Sequence, residues 1–179
     1  MDVLLIGSTG LVGSNIVRKI PEKHNIVQTS RNPGEEVNYC VQVRNSEQVN
    51  EVVEQVSPAY IINTAAYHDV DSCEDNRKMA FDVNCRGVRN LASAANKMGS
   101  KLITYSSDYV FSGENSSNQY SELDQVHPVN YYGQTKYAGE QAAKIAEEYT
   151  VLRPSVIYGL ESDNFVTWVL GELEDGNEV

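Results

Sequence analysis

Short apolar runs bounded by glycine, proline and polar clusters alternate along this chain with stretches in which apolar residues recur at helical spacing. Val3-Leu4-Leu5-Ile6, with Asp2 ahead of it and glycine behind, is the pattern of a strand buried on both faces in a parallel sheet. A helix should follow from about Leu11 to Ile20, closed by Pro21. Residues 25–29 and 37–43 read as second and third strands, with Asn32-Pro33-Gly34 between them. Ser46 caps an expected helix to about Val56, with Val49, Val52, Val53 and Val56 on one face. Residues 59–63 form the fourth strand. One long helix is expected between Asp75 and Met98, burying Val83, Val88, Leu91, Ala92 and Ala95 and ending at Gly99. Residues 101–105 are strand five, and the Ser-, Asn- and Gln-rich stretch from Gly113 to Val129 is a surface excursion. Residues 131–148 read as helical despite Gly133 and Gly139, and 150–153 are strand six, stopped by Pro154. This alternation predicts an α/β fold, a doubly wound parallel sheet of Rossmann type.

Composition narrows the function classes. The 179 residues, 41% hydrophobic, suit one domain, and no apolar run approaches the ~18 residues of a membrane span. The N-terminal strand runs into a glycine turn without a basic region or cleavage site, so a cytoplasmic protein is expected. Cys40, Cys73 and Cys85 are odd in number and lack metal-type spacing, which predicts reduced, largely buried thiols. The net charge is -11, and it is uneven: residues 112–179 hold 3 Lys/Arg against 12 Asp/Glu. Such a surface repels phosphate backbones and anionic lipid, which argues against nucleic-acid or membrane binding.

Three clusters carry candidate chemistry. Gly7, Gly10 and Gly13, with Thr9, Leu11 and Val12 between them, lie between the first strand and the first helix, where a bare backbone turn and a helix N-terminus can receive a pyrophosphate. At the end of strand two, where an acidic side chain would select an unphosphorylated ribose, stand Ser30 and Arg31; Arg31 can pair with a 2′-phosphate, which favours NADP over NAD. Ser107 lies just past strand five, and Tyr132 and Lys136 lie one helical turn apart, a phenol and an ammonium suited to proton transfer. Asp108 and Tyr109 are candidates for substrate contact, and Tyr67 and His68 for the nicotinamide side.

With GSTGLVGSNI at 7–16, INTAAYHDVDSCE at 62–74, YSSDYVFSG at 105–113, the run from Tyr120 to Ala142 and LRPSVIYG at 152–159, the chain resembles the extended short-chain dehydrogenase/reductase family, and within it the dTDP-4-dehydrorhamnose reductases. The resemblance implies that Tyr132 protonates the keto oxygen of a nucleotide-linked sugar, that Lys136 holds the nicotinamide ribose and lowers the tyrosine pKa, and that Ser107 orients the carbonyl. It implies cofactor contacts at Gly10, Leu11, Val12, Ala66, Tyr67 and His68, with NADP the expected cofactor and NAD the alternative. Gln42 stands where the family places an Asp against adenine, Ser107 where it usually has Thr, and Val156 where it commonly has a Trp against the sugar nucleotide. The family continues into a small C-terminal substrate lobe, so residues 1–179 are expected to be the NAD(P)-binding domain of a longer reductase, and self-association into a homodimer is a further expectation. Two other readings of the same residues stay open: a sugar-nucleotide epimerase or dehydratase, and a non-catalytic NADP-binding regulatory subunit resembling the beta subunit of methionine adenosyltransferase.

Overall fold

The computed structural model describes residues 2–114, 119–159 and 164–178. Six parallel strands, β1 (Asp2–Ile6), β2 (Asn25–Ser30), β3 (Tyr39–Cys40), β4 (Tyr60–Asn63), β5 (Lys101–Tyr105) and β6 (Tyr149–Leu152), form one sheet in the order β3-β2-β1-β4-β5-β6. The chain reverses its direction of travel across the sheet between β1 and β4, and in such sheets ligands bind outside the carboxyl ends of the strands near that point. This is the doubly wound architecture that the alternating pattern predicts.

The helices are α1 (Leu11–Lys19), α2 (Ser46–Val56), α3 (Val70–Asp75), α4 (Arg77–Phe81), α5 (Val88–Met98), α6 (Tyr131–Ala143) and α7 (Phe165–Glu174). Leu4 and Ile6 of β1, Ile61 of β4 and Leu102 of β5 are buried in one cluster with Val49 and Val53 of α2 and with Leu91, Ala92 and Ala95 of α5. Each large aliphatic side chain so buried stabilises the fold by ~1.5–3 kcal/mol. The apolar spacing of α2 and α5 is thus explained by one shared core.

Several expectations are corrected. The third strand shrinks from residues 37–43 to a two-residue edge, paired only as Thr29↔Tyr39 and Ser30↔Cys40, because Val41 and Val43 leave the sheet to join the core. Asn45, not Ser46, caps α2: its side chain accepts from the backbone N–H groups of Glu47 and Gln48. Cys40 is exposed, whereas Cys73 is buried and Cys85 partly so. The helix expected at 131–148 stops at Ala143, since the chain must turn back through residues 144–148 for Leu102 to reach the Glu148 carbonyl beside β6. A helix that the sequence reading lacks, α7, opens with Asn164 and Thr167 in a reciprocal capping box and has no buried residue; Phe165, Trp168, Leu170 and Leu173 are exposed on it. Part of the predicted surface excursion, residues 115–118, lies outside the described residues.

The largest correction concerns the long helix. Residues 70–98 form α3, then α4 after a break at Asn76, then a wide π turn at Asp82–Gly87, then α5, which the left-handed Gly99 closes. The π turn is held at its start by Asp82, which accepts from Lys78 at 2.6 Å and from Arg86 at 2.8 Å. At its end, Gly87 has no Cβ, and one there would stand 2.7 Å from Val43 Cγ2. Wide turns of this kind add a residue to the helix and redirect side chains, and they concentrate at functional sites.

Candidate active site

The carboxyl edge of the sheet gathers most of the candidate residues. Gly7 leaves β1 at a φ of 83°, a conformation that favours glycine, and its N–H and that of Ser8 both donate to the Thr29 carbonyl. A Cβ on Gly13 would overlap the Gly7 carbonyl oxygen, so that glycine lets α1 seat on the turn. Gly10 differs. Its φ is an ordinary -81°, and a Cβ there would meet only the Gly7 oxygen at 3.6 Å, so the packing of the protein itself does not demand glycine. As the N-cap of α1 it also makes no side-chain hydrogen bond to the first turn, at Leu11 and Val12. A bare turn with uncapped N–H groups fits the pyrophosphate of a dinucleotide.

Thr9 Oγ1 and Ser30 Oγ are 3.1 Å apart, which ties the glycine turn to the end of β2; Arg31 follows, exposed. Beyond β3, Gln42 Oε1 accepts from Arg44 Nε at 3.1 Å, and an open depression of about 520 Å³ lies between Gln42, Arg44 and Gln48. The loop after β4 carries Ala66, Tyr67 and the exposed His68. Asn84, buried in the π turn, holds this loop in place: its Oδ1 accepts from Tyr67 N at 2.8 Å, and its Nδ2 donates to the Tyr67 carbonyl at 2.9 Å and to Thr135 Oγ1 of α6 at 3.0 Å.

Ser107 follows β5 and caps a short 3-10 turn, Asp108–Val110; its hydroxyl accepts from Tyr109 N and donates to Asp108 Oδ1 at 3.1 Å. Tyr132 stands in the first turn of α6. Asn130 caps that helix through Gly133 N at 2.8 Å, and Glu74 Oε1 accepts from Tyr131 N at 2.7 Å. Arg77, paired to Glu74, lies 4.9 Å over the Tyr131 ring. A Cβ on Gly133 would overlap the Tyr109 carbonyl oxygen, so glycine at that position lets the loop after β5 press against α6. The ring of Tyr132 meets that of Tyr109 edge-on at 5.7 Å, and the Ser107 side chain is close enough to its phenol to act on its pKa. Ser107, Asp108, Tyr109 and Tyr132 are therefore in one place. Val156 lies past β6 and is exposed.

Electrostatics depart from the expectation that Lys136 lowers the tyrosine pKa. Burial pushes the Tyr132 phenol above its ordinary value; the nearby Ser107 side chain opposes this, and Cys73, Asp108 and Tyr109 push it further up. Desolvation outweighs the favourable contact because a phenolate would lose its hydration here. Lys136 is pulled down to about 8, again by burial first, with Glu140 and Cys73 acting in the opposite direction. At neutral pH the phenol is protonated, and Lys136, one helical turn further on, is mostly an ammonium.

Sequence reasoning missed Asn84, Glu74 and the pair of buried Glu140 with partly buried Arg153. Gly139 was the available signal for the first: a Cβ there would overlap the Asn84 carbonyl oxygen, so a glycine inside a predicted helix marked the place where another backbone comes close. Among the described residues no group of three or more His, Cys, Asp or Glu side chains could hold a metal ion, and no helix is long and apolar enough to cross a membrane.

Comparison with known proteins gives a consistent picture. Residues 1–179 match the family model described as the RmlD substrate binding domain. The chain is 34% identical over 180 residues to dTDP-4-dehydrorhamnose reductase of Escherichia coli K12, covering all of this chain and 59% of that protein. It is also 34% identical over 189 residues to a probable low-salt glycan biosynthesis reductase, Agl14, of Haloferax volcanii, covering all of this chain and 63% of that protein. The crystal structure of a dTDP-4-dehydrorhamnose reductase from Bacillus anthracis in complex with NADP superposes with a TM-score of 0.90 at 33% identity, over 97% of this chain and 60% of that one. The chain thus spans about three fifths of the length of these relatives.

Proposed function

From a chain that belongs to the family of the RmlD substrate binding domain, we propose NADPH-dependent reduction of a nucleotide-linked 4-keto-sugar, in deoxysugar or polysaccharide synthesis in the cytoplasm. Residues 1–179 are read as the NAD(P)-binding domain of such a reductase. The observation that carries the proposal is that Ser107, past the end of β5, and Tyr132, in the first turn of α6, meet at the carboxyl edge of the sheet, with Lys136 one turn further along the same helix. The relatives named as dTDP-4-dehydrorhamnose reductases, one of them solved with NADP, support the substrate class and the cofactor.

In this reading Gly7, Thr9, Gly10, Leu11, Val12 and Gly13 receive the pyrophosphate, Ser30 and Arg31 the 2′-phosphate, and Gln42 the adenine edge. NAD is the poorer alternative. Ala66, Tyr67 and His68 line the nicotinamide side, and Lys136 holds the ribose. A bound NADPH supplies the hydride. Ser107 turns its proton from Asp108 to the ketone oxygen and fixes that oxygen's place, and Tyr132 gives that oxygen its proton, so that one hydride and one proton convert the ketone to an alcohol. The raised pKa of the phenol keeps this proton in place until negative charge develops on the ketone oxygen. Asp108, Tyr109 and Val156 face the sugar nucleotide. A homodimer is the expected assembly.

The test is turnover of a dTDP-linked 4-keto-sugar with NADPH by the full-length reductase that carries this domain, as parent and as Tyr132→Phe. The variant keeps the ring, so NADPH binding should persist while turnover falls by on the order of 10²–10⁴. Turnover of the parent that survives the substitution unchanged rules the assignment out. A cofactor that copurifies and remains bound through the cycle favours an epimerase or dehydratase, and NADPH binding without turnover favours the regulatory subunit.

A further inference from the structure

Glu140 is a buried carboxylate on the same face of α6 as the candidate catalytic pair, at the i, i+4, i+8 spacing Tyr132, Lys136, Glu140. Both of its oxygens are held by one side chain: Arg153 Nε donates to Oε1 at 2.7 Å and Nη2 to Oε2 at 2.6 Å, a bidentate fork. The remaining guanidinium nitrogen, Nη1, reaches the Glu122 carbonyl at 3.3 Å, and the guanidinium lies 5.1 Å over the Phe111 ring, which is itself stacked on Tyr120. Arg153 is therefore fixed on several sides.

Its place in the chain gives the fork a second consequence. Leu152, just before it, accepts from Ser106 N at 2.6 Å, and Pro154, just after it, accepts from Asp108 N at 3.1 Å. Ser107 is thus suspended between two backbone hydrogen bonds that flank Arg153, while Tyr132 and Lys136 ride on the helix that Arg153 grips through Glu140. Two segments remote in sequence, each carrying part of the site, are joined by a single ion pair.

We propose that Glu140, held by Arg153, is a positioning residue for Lys136: the two residues stand one turn apart on the same face of α6, and the fork that fixes Glu140 ties that face to the strand end behind Ser107. The role of Lys136 rests on the reductase reading above, but the arrangement can be tested without any ligand. The charges that bear on Lys136 are Glu140 from its own helix and Cys73 from α3. Glu140 offsets part of the burial cost of the ammonium, and Arg153 offsets that of the carboxylate.

The experiment is an NMR titration of isotope-labelled lysine side chains in the ligand-free protein, with the Lys136 resonance assigned by its loss in Lys136→Met. The parent should show a midpoint near about 8. In Glu140→Gln, which keeps shape and loses charge, the midpoint should move down by on the order of one unit. General loosening of the helix would instead hydrate Lys136 and move the midpoint up, toward the ordinary lysine value of ~10.4. An upward or absent shift overturns the proposal. Should Glu140→Gln not fold, the double variant Glu140→Gln, Arg153→Gln leaves no charge of the pair buried alone, and the same downward shift is expected in it. NADPH titration of the same proteins separates the two readings: a downward shift in a protein that does not bind NADPH upholds the positioning role and removes the cofactor assignment.

Discussion

Asn84 Nδ2 donates to Thr135 Oγ1 at 3.0 Å where the π turn meets α6, and Thr135 Oγ1 in turn donates to the Tyr132 carbonyl at 2.8 Å. The same amide holds the backbone of Tyr67 by both its N–H and its carbonyl. Removing it leaves partly buried backbone groups without partners. Asn84→Ala should therefore lower unfolding stability by ~2–3 kcal/mol, read from urea denaturation, and weaken NADPH binding through the loosened Ala66–His68 loop. A loss below ~0.5 kcal/mol would mean that water replaces the amide.

Glycine substitutions should divide by what surrounds them. Gly→Ala inside an exposed helix normally stabilises by up to ~1 kcal/mol. Gly171 of α7 has nothing within 4 Å of an added Cβ, so Gly171→Ala should follow that rule. Gly133 and Gly139 of α6 face the carbonyl oxygens of Tyr109 and Asn84 in overlap distance, so Ala at either should destabilise by more than the helix propensity returns. Thermal denaturation of the three variants is the measurement, and a shared sign would contradict the packing of α6.

Cofactor choice should depend on Arg31. The residue is exposed beyond Ser30, whose hydroxyl is engaged with Thr9, and no carboxylate occupies the end of β2. NADPH should bind more tightly than NADH, and Arg31→Asp should invert the order by removing an attraction and adding a repulsion. Fluorescence titration of both cofactors against both proteins measures this, with unchanged selectivity as the contrary result.

The lowered pKa of Lys136 gives a signed pH dependence. Its folded value of about 8 lies below the ordinary 10.5, so between these two values the unfolded chain binds the extra proton. The contribution of this residue to stability therefore rises as pH increases through that window. Cofactor binding should show the reverse trend, since the ribose contact asked of Lys136 uses the ammonium: NADPH affinity should be level below pH 8 and decline above it. Lys136→Met should lose both dependences, measured by denaturation and by titration across that range.

The sheet was legible in the chain because a strand buried on both faces needs an unbroken apolar run, which Val3 to Ile6 carries locally, and because Lys101 to Tyr105 alternates buried and half-buried positions with the two-residue period of a strand. The glycine turn and the Tyr132–Lys136 spacing were legible for the same reason: each is set by backbone geometry within a few residues. Only the tertiary structure decided the π turn at Asp82–Gly87, because Asn84 satisfies groups 17 and 51 residues away that no local pattern announces. The direction of the Tyr132 pKa was likewise beyond the sequence, where Lys136 is a neighbour of known charge but the depth of burial is unknown. Helix spacing brings a phenol and an ammonium to one face; desolvation by everything packed over that face determines which of their protons is free to move.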